Sequence, residues 1–284
     1  MLSYAGDTEN LKDIENHVKY YFQHVDLKNY SDVFDVFYIH NITHVVHLAA
    51  ETHVDNSIFD PDAFIESNIV GTFNLIKAAL RFKIERLHHV STDEVYGHLG
   101  PGDQRFSEET PYDPRNPYSA SKASADFLVR SFIHTYALPA TVSNCSNNYG
   151  PYQHGEKFIP KVIDSILNEC KIPVYGKGDN IRDWIHVEDH CRALWSILSK
   201  GKVGETYLVG ADCEKTNLEI ISLICKILKV SPEEYIQHVK DRLGHDFRYA
   251  INSKKIKKQL NWKPRIKLED GLKKTIKHYA RNID

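Results

Sequence analysis

His44-Val45-Val46-His47-Leu48-Ala49 reads as a short buried strand, and the pattern that follows it decides the fold. Asp60-Pro61 then supplies an N-cap and a proline at the first helical position. Across residues 62–81, Phe64, Ile65, Ile69, Phe73, Leu75 and Ile76 recur as the apolar residues of an amphipathic helix. Arg86-Leu87-His88-His89-Val90-Ser91 is a second strand. A loop rich in Gly, Pro and Asp leads to a helix over 118–136, and Ala140-Thr141-Val142-Ser143-Asn144 is a third strand. Strand, helix, strand, helix, strand implies parallel pairing with right-handed crossovers, a doubly wound α/β sheet.

After Gly150-Pro151 the elements become shorter and mixed. Helices are expected near 157–168, 189–200, 217–228 and 270–280, and strands near 172–175, 205–209 and 235–239. The expected organisation is therefore 1–150 as one domain and 151–284 as a smaller α+β domain.

Composition narrows the function classes. The 284 residues carry 36 basic and 38 acidic side chains, so no general nucleic-acid or membrane field is expected. The five cysteines include no CxxC pair, which argues against a zinc ribbon or disulfide framework and for a reduced, cytoplasmic setting. No apolar run is long enough to span a membrane, and the first ten residues do not read as a signal peptide. Sixteen histidines show no ligand spacing, so no metal site is expected. Lys254–Lys258 reads as the solvated face of a helix.

Three stretches carry chemistry. Tyr118-Ser119-Ala120-Ser121-Lys122 opens a helix, so Tyr118 and Lys122 lie one turn apart on one face. An ammonium beside a phenol lowers the phenol's pKa and makes it usable as a base. The plainer reading is a chance pair on a solvated helix. Ser91-Thr92-Asp93-Glu94-Val95-Tyr96-Gly97 ends a parallel strand, where open α/β sheets bind ligands. Adjacent acids there can divide into a protonated donor and an ionised acceptor; the alternative is a polar capping loop. Asn144-Cys145-Ser146-Asn147-Asn148-Tyr149-Gly150-Pro151 clusters amides suited to sugar hydroxyls or a carboxamide, or forms a simple Asn-rich turn.

These stretches together resemble one family. HLAAETHVD (47–55), STDEVYG (91–97), YSASK (118–122) and NCSNNYGP (144–151) are similar to the nucleotide-sugar 4,6-dehydratases of the extended short-chain dehydrogenase/reductase superfamily. The likeness continues through GEKFIP (155–160), PVYGKGDNIRDWIHVEDH (173–190), GETYLVG (204–210), RLGHDFRYAI (242–251) and LNWKP (260–264), covering essentially the whole chain. The Tyr-Lys pair marks the superfamily, and the Thr-Asp-Glu triplet marks the 4,6-dehydratases within it.

The resemblance implies a Rossmann-like sheet, NAD as cofactor and dTDP-glucose as substrate. UDP- and GDP-linked sugars are the alternative substrates, and an inactive truncated paralogue is the non-enzymatic alternative. It implies that Tyr118 takes the C4-hydroxyl proton with Lys122 holding the phenolate and a nicotinamide ribose. Thr92 then bonds the C4 oxygen, Glu94 removes the C5 proton and Asp93 protonates the departing C6 hydroxyl. Hydride returns to C6, so there is no net redox change.

It further implies cofactor contacts from Asp26, Leu27, Leu48, Ala49, Ala50, Ser67, Tyr118, Lys122 and Asn144. Substrate contacts are implied for Thr52, Asn147, Glu156, Lys157, Phe158, Pro173, Tyr175, Arg182, Asn217, Arg242 and His245. A surface ion pair is the plainer alternative for Arg182 and Arg242. A homodimer packed through the helices at 62–82 and 118–137 is also implied.

One family feature is not found in these residues. The resemblance begins at Leu2, and the strand, GxxGxxG turn and helix that cradle the NAD pyrophosphate do not occur in the chain. The expectation is an N-terminally truncated sheet with an exposed apolar edge. The chain alone is then expected to bind NAD poorly and to be inactive.

Overall fold

The computed structural model describes residues 2–241 and 243–280. Helix α1 (Tyr30–His40) starts at Asn29, whose side chain accepts from the Ser31 amide, and stops at the left-handed Asn41. Strand β1 (His44–His47) leads into the short α2 (Val54–Phe59). The helix expected over 62–81 is present as α3 (Pro61–Phe64), a π-helical turn (Ile65–Val70) and α4 (Gly71–Arg81) in unbroken succession. Asp60 occupies the N-cap position, but its side chain makes no capping hydrogen bond.

β2 (Arg86–Thr92), α5 (Pro117–Tyr136) and β3 (Ala140–Cys145) complete the opening. β4 (Asn147–Tyr149), α6 (Phe158–Leu167), β5 (Ile172–Tyr175), β6 (Ile181–His186) and α7 (Val187–Lys200) follow. Then come β7 (Thr206–Val209), β8 (Glu214–Thr216), α8 (Asn217–Leu228), β9 (Ile236–Val239), α9 (Lys254–Leu260) and α10 (Leu268–Ala280).

The main sheet has the order β1-β2-β3-β7 and is parallel throughout, with Val45 opposite Leu87 and His89 opposite Val142. This is the Rossmann-like α/β class. Val33, Phe37, Leu75, Ile76, Leu87, Val129 and Val142 form a core between α1, α4, α5 and the sheet. β1 is its outer strand among the described residues, and Val46 there is 38% exposed.

From Asn147 onward the chain builds two small sheets, β4-β6-β8 and β5-β9. Ile159, Ile163, Val174, Trp184, Ile221 and Leu272 share a second core. The same stretch returns β7 to the main sheet, beside β3. A cleft between these parts is lined by Glu94 and by several of the polar residues that the sequence singles out for the substrate.

Candidate active site

β2 ends at Thr92 and turns at once into a 3₁₀ turn, Asp93–Tyr96. The Thr92 hydroxyl caps that turn by accepting from the Glu94 amide at 3.2 Å. Gly97 closes it at φ 86°, where a Cβ would run into the Asp113 carbonyl oxygen. The turn therefore holds Thr92, Asp93 and Glu94 at the C-terminal edge of the parallel sheet.

α5 brings Tyr118 and Lys122 to the same edge. Asn116 and Ser119 form a reciprocal capping box that fixes its first turn. Tyr118 is buried, and the Thr92 side chain beside it favours its ionised form. Lys122 Nζ donates to the Val90 carbonyl at 2.8 Å.

The Tyr-Lys spacing predicts a lowered Tyr118 pKa. In this fold burial, followed by the Glu94 carboxylate, pushes the phenol well above its ordinary value. Burial also pushes the Lys122 ammonium down. The cost of keeping charge in a dry site outweighs the pairing that the spacing alone suggests.

The two adjacent acids have different environments. Asp93 is 1% exposed and its Oδ2 has no hydrogen-bond partner. Burial, then the Glu94 and Asp183 carboxylates, push it well above the usual carboxylate range against the pull of Arg182. A carboxyl in that state keeps its proton and can donate it. Glu94 is only half-buried and lines the cleft.

That cleft, of about 230 Å³, is lined by Thr52, Asn147, Glu156, Lys157, Phe158, Pro173, Tyr175, Arg182, Asn217 and His245 as well as Glu94. The fold thus gathers residues scattered over some two hundred positions of sequence, while Arg242 lies outside the described residues. Lys157 Nζ donates to the carbonyl and hydroxyl oxygens of Thr52, both at 3.0 Å. Arg182 is 9% exposed, donates to the carbonyls of Ile181, Phe247 and Asp246, and stacks over the Tyr249 ring at 4.3 Å. The Asn147 Oδ1 is buried without a hydrogen-bond partner.

The residues expected at a cofactor are more dispersed. Leu48 is 57% exposed and Ala49 is exposed beyond the end of β1, with Ala50 half-buried beside them. Ser67 is half-buried in the π-helical turn. Asp26 and Leu27 lie half-buried in the loop before α1, where Asn74 donates to the Leu27 carbonyl at 3.0 Å. Asn144 is fully buried, and its amide donates to the Thr92 carbonyl at 3.1 Å and to Asp126 Oδ2 at 3.0 Å.

Sequence reading missed two supports. Asn68, turned inward by the π-helical turn, accepts from the Glu51 amide at 2.8 Å and donates to Ser121 Oγ at 2.8 Å. It pins the loop after β1 to α5 beside Tyr118. Asp126 lies one turn beyond Lys122, and the repeat of four from Tyr118 through Lys122 was the signal that could have found it.

The chain matches, over residues 1–275, the family model described as GDP-mannose 4,6 dehydratase. It is 47% identical over 306 residues to the dTDP-glucose 4,6-dehydratase of Shigella flexneri, covering 100% of this chain and 85% of that protein. The chain belongs to the dTDP-glucose 4,6-dehydratase family.

Solved dTDP-glucose 4,6-dehydratases agree in fold. DesIV from Streptomyces venezuelae, with NAD and TYD bound, superposes with a TM-score of 0.96 at 37% identity over 99% of this chain and 86% of that one. The Bacillus anthracis enzyme in complex with NAD gives 0.91 at 42% identity over the same shares. A larger hollow of about 820 Å³, between α8 and the start of α10, contains none of the expected site residues of this dTDP-glucose 4,6-dehydratase family member. Among the described residues no cluster of three His, Cys, Asp or Glu side chains could hold a metal, and no helix is long and apolar enough to cross a membrane.

Proposed function

We propose that this chain converts dTDP-glucose to dTDP-4-keto-6-deoxyglucose at the cleft beside Thr92, Asp93, Glu94, Tyr118 and Lys122. One observation carries the reading. Asp93 and Glu94 share a turn at the sheet edge, one buried and pushed by that burial toward its protonated form, the other open to the cleft.

The residues present fit the nicotinamide end of NAD. Leu48 and Ala49 offer an open apolar ledge at a parallel strand end, and the Lys122 ammonium and Tyr118 phenol suit ribose hydroxyls. Asp26, Leu27, Ala50 and Ser67 would line the rest, with Asn144 behind. Bound NAD would supply the hydride acceptor for C4 and the donor for C6.

The chain's own groups would handle the protons. Tyr118 Oη accepts the C4-hydroxyl proton, and Lys122 opposes the push that burial and Glu94 exert on that phenol. Thr92 Oγ1 orients the C4 oxygen. The C4 ketone acidifies C5, Glu94 takes the C5 proton, and Asp93 gives its proton to the C6 hydroxyl as it leaves as water. Arg182 and Lys157, with Thr52, Asn147, Glu156, Phe158, Pro173, Tyr175, Asn217, Arg242 and His245, would hold the sugar nucleotide; an arginine fork suits a diphosphate.

A homodimer belongs to the same reading. Ile65, Val70 and Phe73 along the 61–81 helix and Phe127 and Tyr136 on α5 expose apolar surface that a second copy would cover. The five cysteines are free thiols, which supports a reduced, cytoplasmic location.

The test is incubation of the protein with NAD in excess and dTDP-, UDP- or GDP-linked hexoses, followed by mass spectrometry. Loss of one water from dTDP-glucose is the result expected on this reading, and it would overturn the inactivity expected from the lack of a GxxGxxG turn. Water loss only from a UDP or GDP sugar would reassign the substrate. No loss from any of them would favour the inactive paralogue.

A further inference from the structure

Beneath the cleft, α5 aligns Tyr118, Lys122, Asp126 and Arg130 at intervals of four on the face toward β2 and β3. Asp126 is 0% exposed. Its Oδ2 accepts from Tyr112 Oη at 2.8 Å and from Asn144 Nδ2 at 3.0 Å. His89 Nε2 lies 3.1 Å from Oδ1 at an angle that falls short of a hydrogen bond. One carboxylate oxygen is thus left without an aligned donor, deep in the protein.

A buried carboxylate in that position needs a cation. Arg130 spends a donor on Tyr112 Oη at 2.7 Å and stacks on that ring, one turn further from the cleft. Lys122 is the cation one turn nearer. The other titratable groups packed around the pair are His47 on β1, His89 on β2, Cys145 on β3, and Tyr96 and Tyr112 from the segment before α5.

We propose that Asp126 is the buried counter-ion of Lys122 and a positioning residue for the oxidation half of the reaction. It keeps the lysine charged beside Tyr118 and, through Asn144, ties down the Thr92 carbonyl. Burial alone would raise Asp126, yet His89 and Lys122 hold it below its ordinary value. Burial lowers Lys122, and Asp126 is the foremost group resisting that.

The catalytic part of this assignment rests on the dehydratase reading, but its test needs no turnover. Lysine labelled with ¹³C at Cε is titrated by NMR, with the Lys122 resonance identified by its loss in Lys122→Met. In Asp126→Asn the Lys122 midpoint should fall by about one pH unit or more, and Asp126→Glu should restore part of it. An unchanged midpoint in folded Asp126→Asn overturns the proposal.

Urea unfolding of Asp126→Asn, Lys122→Met and the double variant provides the second arm. Losing the carboxylate should cost less, or stabilise, once Lys122 is gone. An equal cost in both backgrounds, or failure to fold in both, leaves Asp126 a hydrogen-bonding role only and overturns the pairing.

Discussion

Asp93 and Glu94 are consecutive residues on one 3₁₀ turn, yet Asp93 is 1% exposed while Glu94 faces the cleft. Burial, then the Glu94 and Asp183 carboxylates, push Asp93 well above its ordinary value of 3.8. Between those two values the folded state binds a proton that the unfolded chain does not, so this residue subtracts stability as pH rises above 3.8. Asp93→Asn should therefore unfold at a higher temperature near neutral pH, by roughly 2–4 °C per kcal/mol recovered. The same change should slow water elimination by about 10²–10⁴-fold. Thermal melts at acid and neutral pH and a rate assay read both effects, and undiminished elimination would remove Asp93 as the acid.

Glu94→Gln keeps the size of the side chain and removes its basicity. Exchange of the C5 proton with solvent deuterium should disappear, and overall turnover should drop by about 10²–10⁴-fold. Oxidation at C4 should survive, seen as a transient nicotinamide absorbance that does not decay to product. Persistent C5 exchange would assign the base elsewhere.

Much of this site was legible because its residues sit at strand ends and on a helix with a clear period. Ser91–Gly97 and Tyr118–Lys122 declare their places through β2 and α5 alone. Other parts depend on contacts between distant segments. The bounds of the strand Ile181–His186 are hard to read from sequence because Arg182 and Asp183 interrupt its apolar run. Both are buried, since Arg182 bonds backbone carbonyls and Asp183 accepts from the Cys213 amide at 2.7 Å. The π-helical turn was hidden because Asn68 answers to Glu51 and Ser121, not to its own helix. The upward push on Tyr118 needs Glu94 placed beside it in space, which spacing along α5 cannot express.

The buried histidines should make the fold acid-sensitive. His88 is pushed down to about 3 and His190 to about 4, both chiefly by burial. A depressed histidine stays neutral when folded, so its contribution is present above 6.5 and is lost as pH falls toward those values. Near pH 5 each should cost about 2 kcal/mol. His88 bonds Thr141 Oγ1 at 2.9 Å and Ser143 Oγ at 3.0 Å, contacts that glutamine can partly replace. Urea midpoints for His88→Gln should be lower than wild type at neutral pH but decline less steeply toward pH 5. A parallel decline would mean that His88 does not titrate on unfolding.

Lys157 crosses the cleft from the start of α6 to reach Thr52 beyond β1, and its Nζ also lies 3.6 Å from Glu156 Oε1. It is therefore a tie between the two walls that enclose the sugar nucleotide. Lys157→Met preserves the aliphatic stem and removes the two bonds to Thr52 and the charge. Losing one or two partly exposed charge-assisted bonds is worth about 1–2 kcal/mol. KM for the sugar nucleotide should rise by roughly tenfold, kcat should change by less than about threefold, and the urea midpoint should fall by the amount that this loss of stability implies. Lys157→Arg should recover part of the KM, since it keeps a donor and the charge. A fall in kcat at constant KM would instead put the ammonium at the reacting carbons and away from the binding walls.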